Sequence, residues 1–195
     1  MSLTHSSRGI IAGTILGDGC LERNGRYVRL RIDHGARQKC LVEWKHQQLA
    51  ELHPTAIRRI AVADQRTRRT YVHYRFETAS SPLLEEYYRL FYPHGKKSVP
   101  VEIASYLTSA LSIAVWYMDD GSRRQDCCAG YLNTQAFAWE EVSRLQVCLA
   151  KNFGIASRLH WAAGRPRIYI AGNDFRTLCD LIRDHVLPEL QYKLL

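Results

Sequence analysis

Nowhere does the chain carry the roughly 20 consecutive apolar residues that a bilayer-crossing helix needs, so no segment of that kind is expected. Its opening, MSLTHSSRGI, lacks the basic-then-apolar layout of a secretory signal, and the protein is expected to remain where it is made. Six cysteines occur, Cys20, Cys40, Cys127, Cys128, Cys148 and Cys179, and none forms a CxxC pair. Neither a zinc site nor a disulfide framework is indicated, and the six read as reduced thiols in core or edge positions. Lysine is scarce, at 6 residues against 21 arginines. That balance suggests GC-rich coding DNA and points away from an AT-rich organelle. The stretch around 98–105 has no Gly/Ser-rich linker, which argues for rigidly packed parts rather than tethered ones.

What remains is a basic chain of ordinary globular composition. Its 195 residues, 46% hydrophobic and 24% charged, suffice for one sizeable core or two small fused ones. A net charge of +8 favours a polyanionic partner, because each phosphate contact releases condensed counterions. Charge alone fits a merely basic soluble protein equally well.

The chain reads as two similar halves, 1–98 and 99–195. Residues 11–19, IAGTILGDG, and residues 113–121, IAVWYMDDG, are both helix-period stretches that begin Ile-Ala and end Asp-Gly. In the first half Val28, Leu30 and Ile32 alternate with Arg29, Arg31 and Asp33, the period-two pattern of a strand. A helix is expected over 38–51, strands over 57–62 and 70–78, and a helix over 82–91. The second half offers a strand over 128–133, a helix over 139–153, a hairpin of 156–161 with 167–171 around Gly164, and a helix over 175–186. Trp44 and Trp139 read as helix core residues. Both halves then reach a proline and a lysine, YPHGKK at 92–97 and LPELQYK at 187–193. The recurrence implies a pseudo-dimer with internal two-fold symmetry.

Asp18 and Asp120 close the two repeated stretches, and Asp119 adds a further acid. A carboxylate in the last turn of a helix opposes the macrodipole at a cost of roughly 0.3 to 1 kcal/mol. A divalent cation would explain that placement, and hard oxygen ligands favour magnesium. A single Asp-Gly also fits an ordinary helix exit, with Gly19 or Gly121 in the left-handed conformation. The small residues Ala12, Gly13 and Gly17 would let a second helix approach closely, so that the two carboxylates converge. The eight histidines are scattered, without metal-ligand spacing.

These residues resemble a known family. IAGTILGDG matches the LAGLIDADG consensus of homing endonucleases in its Ala-Gly pair and final Asp-Gly, and IAVWYMDDG looks like a diverged second motif. SIAVWYMDDG, LNTQAFAWEEV at 132–142 and LPELQYKL at 187–194 resemble the omega-intron branch, so the likeness spans essentially the whole chain. The resemblance implies an α+β pseudo-symmetric fold, two αββαββα-like halves whose curved antiparallel sheets form a saddle over DNA. It implies metal-dependent hydrolysis of both strands of a long duplex target, promoting mobility of the encoding intron. Mg2+ is the expected cofactor, with Mn2+ able to substitute and Ca2+ able to bind without supporting cleavage. Asp18 and Asp120 would be catalytic metal ligands, the carbonyls of Gly17 and Asp119 further ligands, and Lys97 and Lys193 catalytic basic residues that stabilise the developing phosphorane charge or position the hydrolytic water.

Arginines projecting from a sheet face suit guanine edges in the major groove. Arg29, Arg31, Arg58, Arg66, Arg68, Arg69, Tyr71, His73 and Arg75 are the candidates in the first half, and Arg158, His160, Arg165, Arg167 and Tyr169 in the second. The expected partner is double-stranded DNA, met by a monomer with no membrane role, in a bacterial cytoplasm at the nucleoid. The alternative is an RNA maturase that helps a group I intron fold.

Overall fold

A computed structural model describes residues 2–195 as two successive series with the same element order. The first runs α1 (His5–Leu16), β1 (Cys20–Asn24), β2 (Tyr27–Gly35), α2 (Lys39–Gln48), β3 (Arg58–Asp64), β4 (Arg69–Glu77) and α3 (Glu85–Phe91). The second runs α4 (Ala110–Asp120), β5 (Gly121–Arg123), β6 (Ala129–Leu132), α5 (Trp139–Phe153), β7 (Arg158–Ala162), β8 (Arg165–Ala171) and α6 (Gly172–Ile182). Each series builds one four-stranded antiparallel sheet, ordered β1-β2-β4-β3 and β5-β6-β8-β7. The expected α+β architecture of two αββαββα units is therefore present.

Alternation fixes each sheet's buried face. Val28, Leu30 and Ile32 of β2 and Phe76 of β4 are sealed, as are Leu132 of β6 and Ile168 and Ile170 of β8. Against these faces pack Leu41 and Val42 of α2 and Val142, Leu145 and Leu149 of α5. Two strands had no counterpart in the sequence reading, β1 and β5. Both are short strands beside a tight turn or a helix end, and β1, CLERN, carries too few apolar residues to show a period.

The repeated motifs form α1 and α4, which pack side by side at the centre. Both are buried nearly all round, as a helix apolar on every side must be. Thr4 caps α1 by accepting from the Ser7 N–H at 3.1 Å, and Ser109 with Ser112 forms a reciprocal capping pair on α4. Gly9, Gly13 and Gly17 lie four residues apart and face α4. A Cβ on Gly13 would fall 2.4 Å from the Ser112 carbonyl oxygen, and one on Gly17 would fall 2.4 Å from Asp119 Oδ2. Only glycine permits that approach.

Two expectations change. Neither Gly19 nor Gly121 takes a left-handed conformation; Gly121 has φ −76°. They are required for space, since a Cβ on Gly19 would meet Thr14 Cγ2 at 2.4 Å and one on Gly121 would meet Tyr117 Cδ2 at 2.3 Å. Trp44 does pack partly against the core, whereas Trp139, at the first residue of α5, is 51% exposed.

Candidate active site

The parallel approach of α1 and α4 brings their C-terminal ends together, and with them the acids. The Asp18 N–H donates to Asp119 Oδ2 at 3.3 Å across the helix pair. Asp18 keeps 46% of its side chain exposed, Asp120 is half-buried, and the Asp119 carboxylate is fully sealed. Lys97 Nζ donates to the carbonyls of Gly17 at 2.8 Å and Gly19 at 2.6 Å, bracketing Asp18 from both sides. Lys193 Nζ donates to the Met118 carbonyl at 2.6 Å and lies 3.5 Å from that of Asp119. Each motif end thus carries its closing aspartate and one lysine, Lys97 being tied to carbonyls just past α1 and Lys193 to carbonyls in the last turn of α4.

Two residues that no sequence spacing singled out complete the cluster. Lys45 of α2, wholly buried, donates to both oxygens of Asp119 at 2.7 and 2.8 Å. His34, the last buried position of β2, sits between the acids, with Nδ1 3.3 Å from Asp18 Oδ2 and Nε2 3.5 Å from Asp119 Oδ1. Neither ring nitrogen is aligned for a hydrogen bond, although the ring is 2% exposed. Ligand atoms of Asp18, His34 and Asp119 all fall within 4.8 Å of one another. The histidines have no metal-ligand spacing along the sequence, yet one of them, His34, stands among these atoms. The strand fold, not sequence spacing, brings His34 to the acids.

The carboxyls are not electrostatically alike. Burial pushes the Asp120 carboxyl up to about 8, with the charges of Asp18 and Asp119 adding to it. Burial also works against ionised Asp18, but His34, Lys45 and Lys97 outweigh it and hold that carboxyl below its ordinary range. Burial lowers the ammonium groups of Lys97 and Lys193 in spite of the nearby acids.

The sheet faces turned away from the core carry the basic residues. By register, Arg29, Arg31, Arg58, Arg69, Tyr71, His73 and Arg75 share the open face of the first sheet, and Arg66 and Arg68 occupy the β3–β4 turn. Arg158, His160, Arg165, Arg167 and Tyr169 share the open face of the second. The two faces differ in chemistry. In the first, Glu22 pairs Arg29 and Arg31, Asp33 binds Arg75 and, at 2.8 Å, His73, and Glu77 binds Arg58. In the second, the Arg167 guanidinium lies 3.6 Å over the Tyr131 ring, His160 stacks on Tyr169 at 4.1 Å, and no carboxylate pairs Arg158, Arg165 or Arg167 among the described residues.

The profile of the LAGLIDADG DNA endonuclease family matches residues 8–178. The chain belongs to this family. Among solved structures, its fold is similar to that of the homing endonuclease I-WcaI bound to its DNA recognition sequence, with a TM-score of 0.91 and 22% identity over 100% of this chain and 88% of that one. Among curated relatives it is 30% identical to protein RecA of Mycobacterium gastri over 95% of this chain and 46% of that protein. It is 29% identical to DNA endonuclease I-ChuI of Chlamydomonas applanata over 82% and 78%. It is 26% identical to the cytochrome b mRNA maturase bI2 of Debaryomyces hansenii over 93% and 71%. The chain spans about half the length of the RecA proteins that it matches.

Within the LAGLIDADG fold, Asp18 and Asp120 stand at equivalent places at the ends of the motif helices, and Lys97 and Lys193 reach those same ends from after α3 and α6.

Proposed function

We propose that this chain is a site-specific homing endonuclease that hydrolyses both strands of a long DNA target with a divalent metal, promoting mobility of its intron. The observation that carries the reading is the meeting of two motif ends, each with an acid and a lysine, in a protein whose two open sheet faces are rich in arginine.

The donor set suits a hard cation. Asp18 and Asp120 offer carboxylate oxygens in a partly desolvated place, and because burial, with the charges of Asp18 and Asp119, raises the Asp120 carboxyl, a cation that favours its ionised form would be welcome there. Asp119 differs, because Lys45 already neutralises it. Asp18 and Asp120, with the Gly17 and Asp119 carbonyls, would hold Mg2+, or Mn2+ in its place, while Ca2+ would bind without supporting cleavage. When bound, the ion would supply Lewis-acid stabilisation of phosphate charge and a more acidic water.

The chain's own groups do the rest. Lys97 and Lys193, fixed by helix-end carbonyls, place one ammonium beside each acid, where charge develops on the phosphate. Their lowered proton affinity also lets either move a proton to or from water. Arg29, Arg31, Arg58, Arg66, Arg68, Arg69, Tyr71, His73 and Arg75 would contact one half of the target, and Arg158, His160, Arg165, Arg167 and Tyr169 the other. The protein acts as a monomer in a bacterial cytoplasm, at the nucleoid.

The test is cleavage of a duplex made by joining the DNA that flanks the reading frame, with magnesium present. Double-strand cutting by the wild type is expected, and none by Asp18→Asn or Asp120→Asn. Full activity in either variant would falsify the metal-ligand assignment. The similarity to a maturase keeps a second reading in view, assistance to group I intron RNA. Splicing that survives both acid-to-amide changes would make RNA assistance an activity independent of cutting.

A further inference from the structure

Resting on that reading, we propose that Lys45, Asp119 and His34 form a buried, one-sided support that positions the Asp18 carboxylate and has no counterpart beneath Asp120. Cys20, two residues after Asp18, pairs with Arg31; Ser122, two residues after Asp120, pairs with Tyr131. Three residues beyond each partner stand His34 and Thr134, so Thr134 is the counterpart of His34. Thr134 is buried and spends its hydroxyl on the Pro166 carbonyl at 3.2 Å.

The same correspondence pairs the buried residues of α2 and α5. Val42 matches Val142 and Leu49 matches Leu149, which sets Lys45 opposite Leu145, a core leucine. Aligning the motifs sets Asp119 opposite Gly17. Lysine, histidine and aspartate on one side are therefore leucine, threonine and glycine on the other. Gly17 is needed for the arrangement, since any side chain there would occupy the space of the Asp119 carboxylate.

An ammonium buried without a partner is strongly unfavourable, so Lys45 holds Asp119 firmly in place. Asp119 in turn accepts the Asp18 N–H and lies beside His34, whose other nitrogen faces Asp18 Oδ2. His34 is thus a sealed polar ring with both nitrogens turned on the two acids and no other use for either. Outer partners of this kind orient a metal-binding carboxylate. Asp120 is held differently, through its backbone carbonyl, which accepts from Asn133 N at 3.0 Å and Asn133 Nδ2 at 2.8 Å.

A one-sided support predicts a one-sided defect. In His34→Gln, cleavage of one strand should slow about 10- to 100-fold while the other keeps its rate, so nicked circles accumulate from a supercoiled target plasmid. Strand-specific end labels identify the slow strand. The double variant Lys45→Met with Asp119→Asn removes the buried charges together, which avoids an orphaned ion, and should slow the same strand. Terbium luminescence of the protein–DNA complex, sensitised by its tryptophans and tyrosines, should show roughly tenfold weaker binding in His34→Gln. Equal slowing of both strands, unchanged rates, or unchanged terbium affinity would overturn the support. Failure of the wild type to cut at all would instead overturn the endonuclease reading.

Discussion

Among single residues, Asp120 makes the sharpest demand on conditions. Its carboxyl titrates near 8 when folded, against an ordinary value of 3.8, so the unfolded chain releases that proton first as pH rises. Its contribution to stability is therefore present at low pH and lost progressively between about 4 and 8. Thermal melts in chelator should show Asp120→Asn more stable than wild type at pH 8, with the advantage shrinking towards pH 5. An advantage that does not vary with pH would contradict the assignment. Lys97 makes a different prediction. Lys97→Met should lower the cleavage rate about 10²- to 10³-fold, the usual cost of losing one preorganised donor, with DNA affinity little changed in a filter-binding or fluorescence assay.

At this scale the sequence was informative about the acids and silent about their supports. Asp18 and Asp120 stand out because each closes a repeated stretch. His34 and Lys45 left a fainter trace, each a polar residue where the local period calls for an apolar one. His34 follows Val28, Leu30 and Ile32 at spacing two, and Lys45 follows Leu41 and Val42 on the inner face of α2. A break in a hydrophobic period is the signal that would have found them. Which acid they meet could not be read, because that depends on how α2 and β2 of one half lie against α4 of the other.

At the scale of elements, the α1–α4 contact is a close joint that leaves no room for a Cβ at Gly13 or Gly17. Gly13→Ala would set a methyl 2.4 Å from a carbonyl oxygen of α4, forcing the helices apart. A loss of roughly 1 to 3 kcal/mol is expected in denaturant melts, together with slower cleavage, since both acids sit at the ends of these helices. The helices and main hairpins were visible in the chain's periodicity, and α5 fell on the expected residues. The three residues of β5 are too few to show any period. The exposed Trp139 defied a reading by residue type, because its place at the first residue of a helix set its surroundings.

Across the whole molecule, the net charge of +8 and the unlike sheet faces shape binding. Affinity for any duplex should fall linearly in log–log form with salt, and replacing Arg165 and Arg167 by Gln should flatten that slope by up to about 2. The first sheet should respond differently, because Glu22, Asp33 and Glu77 already pair Arg29, Arg31, Arg75 and Arg58. Glu22→Gln frees two guanidinium groups and removes a negative charge from the face. It should strengthen binding to unrelated DNA and narrow the gap between cognate and random duplexes. A widened gap in competition titrations would refute the idea that these carboxylates restrain indiscriminate contact.

The glycine ladder of α1 has a consequence for anyone recombining such proteins. Gly9, Gly13 and Gly17 form a trench, and the matching positions of α4 are Leu111, Val115 and Asp119. A symmetric assembly of two first halves would set trench against trench and leave a void, whereas two second halves would set ridge against ridge. Hybrids with a relative's half should therefore fit only when ridge and trench are exchanged as a matched set.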